Sequence, residues 1–115
     1  MRKVKGNTLC VIQTGTSSAV NEYGERETTW ENAIEFDAVL GLQSGDSKYS
    51  SFNAKIEESS HVAVAEFDAD IYALADKNTR LIAKGKMYDV LLIDNPDELN
   101  EHLEIYLRFI GGQNG

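Results

Sequence analysis

From Trp30 onward the chain alternates. Trp30, Ile34, Phe36, Ala38 and Leu40 share one parity, while Glu31, Glu35 and Asp37 share the other. Successive side chains of a strand point to opposite faces, so this spacing predicts a half-buried strand. Asn32 on the apolar side, and Ala33 and Val39 on the polar side, break the pattern. Upstream, the β-branched apolar run at residues 8–13 predicts a first strand. Residues 14–28 are polar and rich in small side chains, with Gly15 and Gly24 suited to turns, and are read as one long hairpin loop. Loops of that length are usually functional.

The period then changes. Tyr49, Phe52 and Ile56 recur at helical spacing, with Lys48, Ser51, Lys55 and Glu57 between them and Asp46 or Ser47 placed to cap. A short amphipathic helix is expected at about residues 47–57, inserted between strands. HVAVAEF has strand character, and residues 68–78 read as a connection. Residues 79–83 form a strand, Lys84-Gly85-Lys86 a tight turn, and residues 87–93 the returning strand. Asp94-Asn95-Pro96-Asp97 breaks it, because proline removes a backbone donor and restricts its predecessor. In the last strand, at about residues 102–110, Leu103, Ile105, Leu107 and Phe109 face one way and Glu104, Tyr106 and Arg108 the other. Residues 1–7 and 111–115 are expected to be flexible.

These elements sum to a mainly β fold: a small antiparallel barrel or sandwich of about six strands with one inserted helix and a long loop. At 115 residues the chain is a single domain. Its formal charge of −8 argues against a sequence-independent nucleic-acid binder, since phosphate is repelled. No apolar stretch approaches the roughly 20 residues of a membrane helix, and the charged start lacks the apolar region of a signal peptide.

Catalytic chemistry finds no motif. Cys10 lies in the apolar run Leu9 to Ile12 and reads as a small buried hydrophobe. His61 and His102 have no motif around them. Glu66, Asp68 and Asp70 would share a strand face and could hold a hard cation, although a solvated strand face, the commoner case, explains them without one. The carboxylates Asp94, Asp97, Glu101 and Glu104 have no predicted pocket to raise a pKa. No phosphate-binding glycine motif is present, and neither an enzymatic activity nor a cofactor is expected.

The stretch TRLIAKGKMYDV, with Arg80, Gly85, Tyr88 and Asp89, resembles the R-I-x-x-x-G-x-x-Y-D-I hairpin of the tailed-phage head–tail joining proteins, also called head-closure or stopper proteins. Asn95-Pro96-Asp97 with His102-Leu103-Glu104-Ile105 is similar to that family's turn and final strand. Tyr23-Gly24, Trp30 and Phe36-Asp37-Ala38-Val39-Leu40 resemble its first hairpin. The likeness covers residues 9–110. It departs at HVAVAEF, where the family often carries an arginine and a further aromatic.

The resemblance implies a small β-barrel that assembles as a ring, generally dodecameric, under the portal and adaptor of the filled capsid. Such a ring closes the DNA channel after packaging and docks the tail. It further implies a monomer when free, residence in the host bacterial cytoplasm before assembly into the virion, and passive contact with passing DNA without sequence reading. Asp46, Lys48, Tyr49, Phe52, Lys55, Glu57 and Glu58 then belong to an insertion that can face the channel. Asn21, Glu22 and Tyr23 belong to a loop that can touch a neighbour or the adaptor. An acidic lumen would let DNA pass where a basic one would hold it. Two other readings stay open: another head–tail interface protein, such as an adaptor or tail-completion subunit, and a small-ligand-binding barrel.

Overall fold

The computed structural model describes residues 6–42 and 59–112 of the chain. Among these residues six strands run in the order β1 (Thr8–Ser17), β2 (Thr28–Leu42), β3 (His61–Glu66), β4 (Thr79–Ala83), β5 (Lys86–Asp94) and β6 (His102–Gly112). A short helix, α1 (Ala69–Tyr72), follows β3, and a 3-10 turn (Pro96–Glu98) separates β5 from β6. Every pairing is antiparallel, and the sheet closes on itself in the order β1-β2-β3-β6-β5-β4. The mainly β architecture expected from the alternation is present. The helix expected at residues 47–57 lies outside the described residues. Among those residues, no helix is long and apolar enough to cross a membrane.

The interior of this barrel is packed solid by alternate residues of each strand. Cys10, Ile12, Ala38, Ala63, Leu81, Leu103, Ile105 and Leu107 are completely buried. Alanines at 38, 63, 65 and 83 let the larger side chains of β1, β4 and β6 meet across a narrow lumen. α1 arises where β3 stops: Asp68 caps it by accepting from the Asp70 N–H at 2.8 Å, and Ile71 turns into the core. The connection expected at residues 68–78 thus carries a helical turn that closes one end of the barrel.

Several expectations are corrected. The loop of residues 14–28 is shorter, because β1 and β2 stay paired out to Ser17↔Thr28. Trp30 does not share a face with Ile34, Phe36 and Ala38. Ile12 pairs with Ile34 but Gln13 pairs with Asn32, so Ala33 is an extra residue that switches the alternation. Trp30 and Asn32 therefore lie outside with Gln13 and Arg80, which explains the polar residue in an apolar series. Residues 111 and 112 are not tail but the end of β6, paired with Met87 and Lys86. Asn7 is tied to β2 by its N–H to the Ala38 carbonyl, at 3.0 Å. In β6, Tyr106 is buried despite its outward parity, while Phe109, on the core parity, is half exposed at the barrel end. The turn at Lys84 and Gly85 has φ of 52° and 73°, the paired positive values of a tight hairpin.

Candidate functional site

Two features leave the barrel at opposite ends. The first is an arm. β1 pairs with β4 only as far as Thr14↔Thr79, and one further bond runs from the Gly15 N–H to the Asn78 carbonyl at 2.9 Å. Beyond it, β1 and β2 continue as a two-stranded hairpin in which residues 16–29 are all exposed.

The root of the arm is clamped on its outer face. Arg80 Nε donates to Gln13 Oε1 and Gln13 Nε2 donates to Asn32 Oδ1, each at 2.7 Å. The Arg80 guanidinium also stacks 4.2 Å from the Trp30 ring centre, a favourable cation–π arrangement. Trp30 reaches that position because Gly15 opposite it has no Cβ; one would fall 2.9 Å from the ring.

At the arm's tip, Asn21 Oδ1 accepts from the N–H groups of Tyr23 and Glu25, both at 2.9 Å. Its backbone N–H bonds to the Glu25 carbonyl, and Ser18 N–H to the Glu27 carbonyl. Asn21, expected as a contact residue, is placed as the organiser of the turn. Glu22 and Tyr23 are what the turn presents, with Tyr23 77% exposed.

The second feature is the far mouth. Leu42 and Ser59, the described residues on either side of residues 43–58, both stand there. Asp46, Lys48, Tyr49, Phe52, Lys55, Glu57 and Glu58 lie in that segment and are outside the described residues. The mouth itself is aromatic. The His61 ring meets Tyr88 edge-on at 5.0 Å, and Tyr88 meets Phe109 at 5.6 Å. Ser60 Oγ holds both ends of this cluster, bonded to His61 Nδ1 at 2.9 Å and accepting from the Phe109 N–H at 2.8 Å. Burial, aided by the Lys86 charge, lowers the His61 pKa and favours the neutral ring. Burial raises Tyr88. Leu42, Phe109 and Ile110 add exposed apolar surface at this end.

The residues singled out for chemistry are distributed otherwise. Cys10 is buried with its thiol pushed up to about 11, first by desolvation and then by the Asp37 charge, so it is held as an inert thiol. Glu66, Asp68 and Asp70 do not share a strand face. β3 ends at Glu66, and Asp68 is occupied in capping α1. Among the described residues no cluster of three or more ligand-type side chains is placed to hold a metal.

Sequence reasoning missed a polar ladder on the outside of β5 and β6. Tyr106 Oη donates to Glu104 Oε1 at 2.7 Å, and His102 Nε2 meets Glu104 Oε2 at 3.0 Å. Asp94 pairs across the strands with Glu104. Its pKa is raised by burial, then by Glu104 and Asp97, against the opposing pull of His102. The expectation that these carboxylates have no cause for a raised pKa is thus corrected at Asp94. The even spacing of His102, Glu104 and Tyr106 was the available signal, since it places all three on one strand face. No protein-family model and no curated protein matches the chain.

Proposed function

We propose that this chain is a structural connector subunit of a tailed phage. It forms a ring beneath the portal and adaptor, closes the DNA channel after packaging and docks the tail. The observation that carries the reading is a filled barrel with an exposed arm at one end and an aromatic mouth at the other. One end presents the arm with Tyr23, and the other presents the mouth formed by His61, Tyr88 and Phe109. A subunit of this shape can bridge what lies on its two sides. A barrel packed with Ile12, Leu81, Ile105 and Leu107 conducts nothing through itself, so a passage for DNA requires several copies around an axis.

The sequence elements with the family likeness also have structural work to do in this frame. Arg80 clamps the arm's root, Gly85 makes the β4–β5 turn and Tyr88 builds the aromatic mouth. The same filled interior speaks against a barrel that holds a small ligand in its lumen. In this reading the free chain is a monomer, twelve copies assemble as a ring on the preceding one, and the acidic surface lets DNA pass without holding it. Negative-stain microscopy of the chain mixed with cognate portal–adaptor complexes tests it. An added ring of density at the adaptor end is the expected result, and failure to add one to any cognate complex sinks the proposal.

A further inference from the structure

β2 is bonded along one edge to β1 from Thr28 to Ala38, yet among the described residues its other edge meets β3 only from Val39 to Leu42. Among the described residues, eleven residues of strand therefore present an unpaired edge, a template for a further strand. The edge starts at a cleft of about 500 Å³ where β2 and β3 diverge, lined by Phe36, Ala65, Phe67 and Ile71 with the carboxylates of Asp37, Glu66 and Asp68 around them. From the cleft towards the arm's root the edge carries Asp37 and Glu35 on its outer face, both exposed, while Glu31, beyond the bulge at Ala33, lies on the opposite face.

That charge pattern selects the partner. Two copies joined edge to edge would bring Glu35 and Asp37 of one β2 to the same face as those of the other, and like charges across a strand pair are destabilising. A strand carrying lysine or arginine would be drawn to the same edge. Added strands gain affinity from main-chain hydrogen bonds and specificity from pockets for alternate side chains. The cleft is within the size range of such pockets, and its apolar floor suits one large apolar side chain.

We propose that the open edge of β2, from Thr28 to Ala38, accepts an added strand from a different protein. That strand is an extended basic segment alternating Lys or Arg with apolar residues, and it seats one aromatic or aliphatic side chain in the Phe36–Ile71 cleft. The inference rests on the edge and its charge, and holds whether or not the protein is a phage connector.

The competing occupant is the chain's own start. Gly6 stands at the cleft's rim, so close to β2 that a Cβ would fall 2.4 Å from the Ala38 nitrogen, and Arg2, Lys3 and Lys5 precede it.

The test uses the full chain and the synthetic peptide Lys-Val-Lys-Val-Lys-Val-Lys-Phe, with its Glu-for-Lys counterpart as control. Binding is followed by fluorescence polarisation, and amide hydrogen exchange locates it. The basic peptide should bind, protect amides within residues 29–37, and weaken with added salt. The control should not bind, and the E35K/D37K double variant should lose at least tenfold in affinity while its circular dichroism is unchanged. Equal binding of the control, protection elsewhere on the barrel, or full affinity in the double variant would overturn the proposal. Binding that emerges only after residues 1–5 are removed would assign the edge to the chain's own terminus. Concentration-dependent self-association abolished by E35K/D37K would assign it to a second copy. Either result also overturns the proposal, and neither bears on whether a ring forms on a portal–adaptor complex.

Discussion

The strands from Thr79 to Gly112 and the arm between Thr16 and Thr29 are built by different forces. In the first, Leu81, Tyr88, Leu103, Ile105 and Leu107 are almost wholly removed from water, so order comes from burial. In the second every residue is exposed, and order comes from the β1–β2 ladder, the Asn21 turn and the Trp30–Arg80 clamp at the root. An isolated two-stranded hairpin is marginal in water. The arm therefore depends on its root, while the barrel does not depend on the arm. Stability thus lies in the barrel and the proposed partner contact in the arm, and substitutions should separate the two.

The largest effect belongs to the barrel. Ile105 is completely buried between β3 and β5, paired with Ala63 and Ile93. Ile105→Ala should cost about 2–5 kcal/mol, because the small lumen cannot collapse around the void. Urea unfolding followed by circular dichroism measures it. A loss no larger than that of an exposed-site substitution would show that the barrel does not carry the stability.

At the junction of the two regions the effect is smaller and local. Trp30→Ala removes the ring over Gly15 and the partner of the Arg80 guanidinium, a loss of about 1 kcal/mol for the cation–π contact. Amide exchange should quicken within residues 16–29 and stay unchanged in β5 and β6. Uniform acceleration across the sheet would mean that arm and barrel open as one unit.

A pH-dependent effect lies wholly within the barrel. Burial and the neighbouring Glu104 raise the Asp94 pKa above its ordinary 3.8, so the folded state holds this proton more tightly than the unfolded state does. Stability from this group grows as pH falls from the raised value towards 3.8, and the ionised carboxylate costs stability above that window. Asp94→Asn should therefore be more stable than the parent at neutral pH, with the difference shrinking as both are acidified through the window. A difference that does not change with pH would remove the Glu104 repulsion from the account.

The two regions also differ in how far they could be read from sequence. Alternation at Leu103, Ile105 and Leu107, and Gly85 between two apolar runs, specify β6 and the β4–β5 turn directly, because burial imposes the period and a tight turn imposes its residue. The arm gave no such signal, since a ladder with both faces in water imposes no alternation, and residues 14–28 read as loop. Trp30 was misassigned for a related reason. The bulge at Ala33 is a backbone event, and parity in the sequence cannot record that one residue has been skipped in the pairing. Asp94 and Glu104 are ten residues apart in sequence and neighbours only through the β5–β6 register. The unpaired edge of β2 among the described residues follows from the sheet topology, not from any sequence pattern.

The smallest expected change in stability is the one that divides the regions most sharply. Tyr23 is 77% exposed and packs on nothing that holds the barrel, so Tyr23→Ala should shift unfolding by no more than about 0.5 kcal/mol. If the arm is the contact element of a connector, the same substitution should reduce or abolish addition to a cognate portal–adaptor complex, since exposed aromatics are frequent anchors of interfaces. Asn21→Ala separates presentation from contact. It leaves Tyr23 in place but removes the oxygen that fixes the turn, so binding should weaken while amide exchange at the tip quickens. Unchanged binding in both variants would take the contact away from the arm and leave the aromatic mouth and the open β2 edge as the surfaces that act.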